Sequence, residues 1–261
     1  MKKQQDITEK WYKVDINIHF LQKQMKHKSL RMLGDGLFQK TIAMEGDKLP
    51  IITRAEPYFV NFMKWGWKPE FYVNSKHYNQ KPLLYCKGES LNTFYKEYME
   101  RPSQHRCIVI ANSFYAWYFK KPQSTKHKAK GQWVREEFAS PKNIFLLFAG
   151  LYGLNSNDNR ETMGFSIVNK PAISSLKSYM TRMPLVLNQS DLRTWLSGSV
   201  EACMELVEYE EQASFVIPFT EPLPGDDDYM KREVWKEYYH SNREDWNDID
   251  QEKLRMEKYK H

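Results

Sequence analysis

The stretch from Phe145 to Leu187 constrains this chain more than any other. It opens with FLLFAGLYG, a run rich in aromatic and branched residues that reads as a buried strand. Asn155 to Glu161 (NSNDNRE) is loop chemistry, and Gly164 to Val168 reads as a second strand returning beside the first as a hairpin. Pro171 to Tyr179 starts on proline and continues with helix-tolerant residues, which predicts a short helix. Arg182-Met183-Pro184 then leads into Leu185-Val186-Leu187. An arginine just before a proline-started strand adds nothing to an apolar core, so Arg182 reads as a group aimed at an anion, or else as one arm of a structural salt bridge with Glu89 as its candidate partner.

Upstream, Met1 to Arg31 carries eight Lys/Arg against three acidic residues. Trp11, Val14, Ile18, Leu21 and Met25 recur at loosely helical spacing and predict an amphipathic basic helix over Ile7 to Met25. Such a helix is either a solvated face packed on the core or a phosphate-contacting arm. Gly34 to Lys48 reads as turns, and Leu49 to Thr53 and Tyr58 to Met63 as short strands. Trp65-Gly66-Trp67-Lys68-Pro69 follows with a turn, and Phe71 and Tyr72 precede a polar loop. Exposed aromatics beside a basic groove stack on unpaired bases at about 1–3 kcal/mol per base. Trp65 and Trp67 are candidates for that role or for a core; Phe71 and Tyr72 lie nearer the loop and suit stacking better.

Thr93 to Met99 is expected to be helical, and Cys107 to Ala111 is an apolar strand. The lysine-rich KKPQSTKHKAKGQ, within Trp117 to Lys142, is a solvated loop or a sequence-independent nucleic-acid contact. Glu201 to Glu211 predicts an acidic helix and Phe215 to Pro218 a last strand. These readings divide the chain into a main domain over 1–225 and a charged, helical appendage over 226–261, with eleven acidic residues against eight Lys/Arg.

Four segments in this order carry a family resemblance. They are Trp65-Gly66-Trp67-Lys68-Pro69, the run Arg106 to Trp117 (RCIVIANSFYAW), Ala149-Gly150-Leu151-Tyr152, and Arg182-Met183-Pro184 followed by Trp195-Leu196. With Leu83 to Ser90 between the first two, they resemble the SOS response-associated peptidase family, most clearly over 49–196. That family shows WG-x-x-P, N-A-R-x-E-T, RC followed by a hydrophobic run and G-[FWY]-[FY]-E-W, A-G-L-[WY], H-D-R-M-P and W-L. The resemblance implies an α+β fold, with a curved, mostly antiparallel sheet closing toward a barrel and short peripheral helices.

It also implies a chemistry. The family's nucleophile is a cysteine directly after the initiator methionine, whose amine and thiol together condense with the aldehyde of an abasic site. An Asn, a Glu and a His orient it and move protons. By this resemblance Lys2 stands at the cysteine position, Tyr85 at the Asn, Ala116 at the Glu and Met180 at the His. Lys87 stands at the motif arginine, keeping the charge but not the planar fork, and Glu89 at the motif Glu. Four coordinated losses imply that the thiol chemistry has gone and no catalytic residue is retained.

The competing functions therefore differ in class. The first is a DNA-damage protein that binds single-stranded or abasic DNA non-covalently through Arg182, Lys87, Phe71, Tyr72, Trp65 and Trp67. The second is an active peptidase or an amine-based abasic-site lyase using Lys2, Lys3 or the α-amino group. The third is a scaffold whose groove serves a protein partner, with the appendage involved. A net charge of +6 leans toward acidic partners. Three scattered cysteines without a C-x-x-C, and seven histidines without ligand spacing, predict no metal site and no cofactor. The absence of an apolar leader or of a membrane-length apolar run predicts a cytoplasmic protein with no membrane partner.

Overall fold

The computed structural model describes residues 12–32, 34, 36–74, 81–100, 105–120, 132–140, 145–156, 162–209 and 220–222. The strands are β1 (Tyr12–Asn17), β2 (Arg31–Met32), β3 (Leu37–Ala43), β4 (Lys48–Thr53), β5 (Phe59–Trp65), β6 (Tyr85–Lys87) and β7 (Arg106–Ala111). They continue as β8 (Ser113–Lys120), β9 (Gln132–Ala139), β10 (Leu146–Leu154), β11 (Met163–Pro171), β12 (Arg182–Pro184) and β13 (Thr220–Pro222). The helices are short: α1 (Ile18–Met25), α2 (Glu70–Val73), α3 (Lys96–Glu100), α4 (Asp191–Ser197) and α5 (Val200–Glu208).

The larger sheet runs β12-β11-β10-β7-β4-β5-β2, with β6 alongside β11. β5 also pairs in parallel with β11, through Gly164↔Lys64 and Phe165↔Trp65, so β11, β10, β7, β4 and β5 close into a ring. The other pairings around this ring are antiparallel. β7 is buried throughout and β10 nearly so, as expected of strands covered on both faces. The second sheet, β13-β9-β8-β1-β3, supplies part of that cover. Its Tyr12 and Phe114 rings meet Phe148 of β10 at 5.4 and 6.2 Å, and its Phe38 meets Phe62 of β5 at 4.8 Å.

Three indoles anchor this core. Trp65, Trp67 and Trp195 have no exposed surface. At about 25 cal/mol per Å², roughly 200 Å² of ring contributes on the order of 5 kcal/mol apiece. Their N–H groups donate to Leu84, Leu154 and Cys107 carbonyls at 3.1, 3.3 and 2.9 Å. Arg106, 1% exposed, ties the helices to β7. Its two terminal nitrogens donate to the carbonyls of Met99, Trp195 and Gly198 and to Cys203 Sγ.

Several local expectations need correction. Residues 12–17 form a strand, because Tyr12, Val14 and Ile16 are buried in alternation; the helical spacing holds only over α1, which Asn17 caps by accepting from His19 N–H. Leu37–Ala43, within the stretch read as turns, is β3, paired with β1. The helix expected from Pro171 is instead a run of turns, with Leu176 N–H bonded to Ile173 O and Tyr179 N–H to Leu176 O. Three serines and a β-branched isoleucine disfavour regular helix there. The lysine-rich insert, the strand expected at Phe215 to Pro218 and the appendage lie outside the described residues.

Candidate functional site

β11 organises the site because it has neighbours on both edges. Its Asn169 pairs with Lys87 of β6 on one side and Pro184 of β12 on the other, and Pro171 pairs with Arg182. Lys87 thus stands beside Asn169 by register, and Arg182, opposite Pro171, reaches Asn169 through its side chain. Arg182 is already engaged: Nη1 and Nη2 donate to Glu89 Oε1 and Oε2 at 2.8 and 2.6 Å. Nε donates to Asn169 Oδ1 at 3.1 Å, and Nη2 also reaches the Asn169 carbonyl at 3.2 Å. Partial burial pushes the Glu89 carboxyl up. The Arg182 hydrogen bonds and charge, the residue's own N–H and the Lys87 charge outweigh it, leaving the group below its usual value. The Glu89 side chain remains 46% exposed, so this pair sits at the surface.

The positions that the resemblance matches to catalytic groups lie on separate elements: Tyr85 on β6, Ala116 on β8 and Met180 before β12. Tyr85 is half-buried, and its hydroxyl accepts from the Tyr12 hydroxyl at 3.1 Å. Burial pushes the Tyr12 phenol up, with the Tyr85 hydrogen bond opposing. Trp65 stands edge-on to both rings, at 5.0 and 5.8 Å. Lys2 lies outside the described residues; the residue brought to Tyr85 is Tyr12, the first of β1. Ala116 and Met180 are both buried.

Across from Ala116 in the β8–β9 ladder stands Glu136, 4% exposed. Its Oε1 accepts from Tyr118 Oη at 2.8 Å. Burial pushes the Tyr118 phenol up, and the bond to Glu136 and its charge push it further. Tyr118 meets Tyr179, next to Met180, at 5.1 Å. The reading of the sequence missed this carboxylate. Its signal was present, since Val134, Glu136 and Phe138 share one phase of β9 and the outer two are apolar core.

The aromatic candidates divide. Trp65 and Trp67 have no exposed ring face with which to stack on a base, so they are core residues. Phe71 and Tyr72, on α2, are half-buried, and Phe71 packs against Trp67, Tyr95 and Tyr98. All three thiols are buried. Burial pushes Cys107 well up, with Cys86 adding to the effect. Among the described residues no three His, Cys, Asp or Glu side chains gather as metal ligands, and no helix is long and apolar enough to cross a membrane.

The family model of SOS response associated peptidase (SRAP) matches residues 13–218. A protein of known crystal structure from Bacteroides thetaiotaomicron is similar at 19% identity and a TM-score of 0.57, over 78% of this chain and 89% of that one. A protein from Bordetella bronchiseptica is 14% identical with a TM-score of 0.56, over 84% and 96%. A phage-related protein from the same organism is 17% identical with a TM-score of 0.54, over 81% and 93%. At these identities the likeness concerns the fold alone. No curated relative matches the chain.

Proposed function

Because the chain belongs to the SOS response-associated peptidase family, we propose that it binds single-stranded or abasic DNA non-covalently, with the family's thiol chemistry lost. The observation that carries this reading is the convergence of two cations on Asn169: Lys87 pairs with it across the β6–β11 ladder, and the half-buried Arg182 guanidinium hydrogen-bonds to it. Glu89 holds the Arg182 fork in the two-pronged geometry that a phosphate also takes. A DNA phosphate would exchange with that carboxylate, and Phe71 and Tyr72 would meet bases beside it. The loss of thiol chemistry is supported by Cys86, Cys107 and Cys203, each without exposed surface.

A titration of single-stranded, abasic and duplex DNA at two salt concentrations tests the proposal. Binding that falls steeply with salt, and a salt slope lowered by about 0.7 in Arg182→Ala on single strands, support it. Salt-independent binding, or none, would reassign the groove to a protein partner.

One observation favours a second reading, an amine-based abasic-site lyase. Glu136 puts a buried carboxylate one strand away from Ala116, where it could move protons for Schiff-base chemistry. Borohydride trapping on abasic DNA tests it. A trapped adduct and strand cleavage that both survive in wild type, with cleavage falling in Glu136→Gln, would support the lyase. No trapped adduct would remove it.

A further inference from the structure

The cations of the basic N-terminal stretch that are described beyond β1 gather at one corner of the fold. α1 ends in a Schellman turn: Lys26 N–H donates to Lys23 O, and His27 N–H to Gln22 O. Lys26 takes the left-handed conformation, with φ 52° and ψ 36°, at the position that glycine usually fills. Among the described residues no other non-glycine residue has a positive φ. Lys23, Lys26, Lys28 and Arg31 are all exposed, and no acidic residue lies between Lys23 and Arg31.

The β4–β5 connection faces this turn. Arg31 N–H donates to Tyr58 O at 2.8 Å, and Arg31 pairs with Phe59. The His27 ring meets the Tyr58 ring edge-on at 5.1 Å. Tyr58 and Phe59 are 55% and 41% exposed. Arg54, in the same connection, has a buried Nη1 without a hydrogen-bond partner among the described residues. The acid of the connection, Glu56, accepts from Asn61 Nδ2 at 2.8 Å.

We propose that this corner, formed by the end of α1 and the β4–β5 connection, is a contact site for single-stranded nucleic acid, built on other elements than the Arg182–Lys87 groove. Cations of one sign track a phosphate backbone, and exposed rings stack on unpaired bases. A duplex hides its base faces, and an acidic peptide would match the charge but leave the rings without flat partners. The backbone at Lys26 points the same way. Glycine usually fills that turn position, and the lysine standing there instead adds a cation to the corner.

The test titrates the full chain with a fluorescent thymidine 20-mer at two salt concentrations, with melting temperature read on every variant. Lys26→Gly is expected to melt higher than wild type and bind more weakly. The triple variant Lys26→Gln/Lys28→Gln/Arg31→Gln is expected to lower the salt slope by about 2, at roughly 0.7 per phosphate contact. Tyr58→Ala is expected to weaken binding about tenfold without lowering the melting temperature. Unchanged affinity and slope in the triple variant and Tyr58→Ala, with Arg182→Ala still weakened, would overturn the corner and leave the groove standing. No binding by wild type would overturn both. Equal competition by poly-glutamate, together with full affinity in Tyr58→Ala, would make the corner a general acidic-partner surface and overturn its assignment to single strands.

Discussion

Arg182 makes structural bonds in the same two-pronged geometry that the proposed phosphate contact would use. It bridges β12 to the Gly88–Ser90 turn through Glu89 and to β11 through Asn169. Arg182→Ala should weaken single-stranded DNA binding by about 1–3 kcal/mol, the range for charge-assisted bonds to a phosphate. Glu89→Gln should tighten it, because the fork loses its competing carboxylate; tighter binding in the first variant or weaker in the second would refute the exchange. The same pair predicts a pH effect. Glu89 sits below its usual value in the folded protein, so its contribution is present above the unfolded value of 4.5 and is lost as pH falls through the folded value. The melting-temperature gap between wild type and Arg182→Ala should therefore narrow from pH 7 toward pH 3. A constant gap would mean the ion pair contributes nothing to stability, as many exposed pairs do.

Among the elements, β11 carries the most consequence, since it closes the ring against β5 and then hands its two edges to β6 and β12. Gly164 makes that closure fit. A Cβ there would lie 2.2 Å from the Gly66 carbonyl oxygen, a backbone atom that cannot swing away. Gly164→Ala should destabilise the fold by about 3 kcal/mol, read as a lower urea midpoint; an unchanged midpoint would show that the β5–β11 contact is not integral. These elements also show what the sequence makes legible. The hairpin of β10 and β11 and the buried strands β4 and β7 are plain because they are rich in branched and aromatic residues and bounded by turn residues. β1 is not plain, since Trp11, Val14, Ile18, Leu21 and Met25 fit a helical period that spans a strand and a helix. In the site, the Arg182–Glu89 salt bridge is one of the two readings the motif frame allows, and its bidentate geometry across 93 positions comes only with the fold. Glu136 escapes because its relation to Ala116 depends on the β8–β9 register, which only the folded ladder sets.

At the scale of the whole molecule, the chain keeps the fold of its family, and the proposed loss of thiol chemistry rests on what stands at four positions. The Tyr12 and Tyr85 hydroxyls meet, Ala116 and Met180 are core, and Cys86, Cys107 and Cys203 are buried. The proposed contacts are two: the Arg182–Glu89–Lys87 cluster, and the corner of Lys26, Arg31 and Tyr58. In this proposal, binding to DNA occurs without bond formation. The most direct test incubates the protein with labelled single-stranded abasic DNA without reductant and divides the sample between a native gel and a heated denaturing gel. A salt-sensitive shift on the native gel, with no shifted band on the denaturing gel, is the predicted result; a heat-stable shifted band, abolished by thiol alkylation, would contradict it.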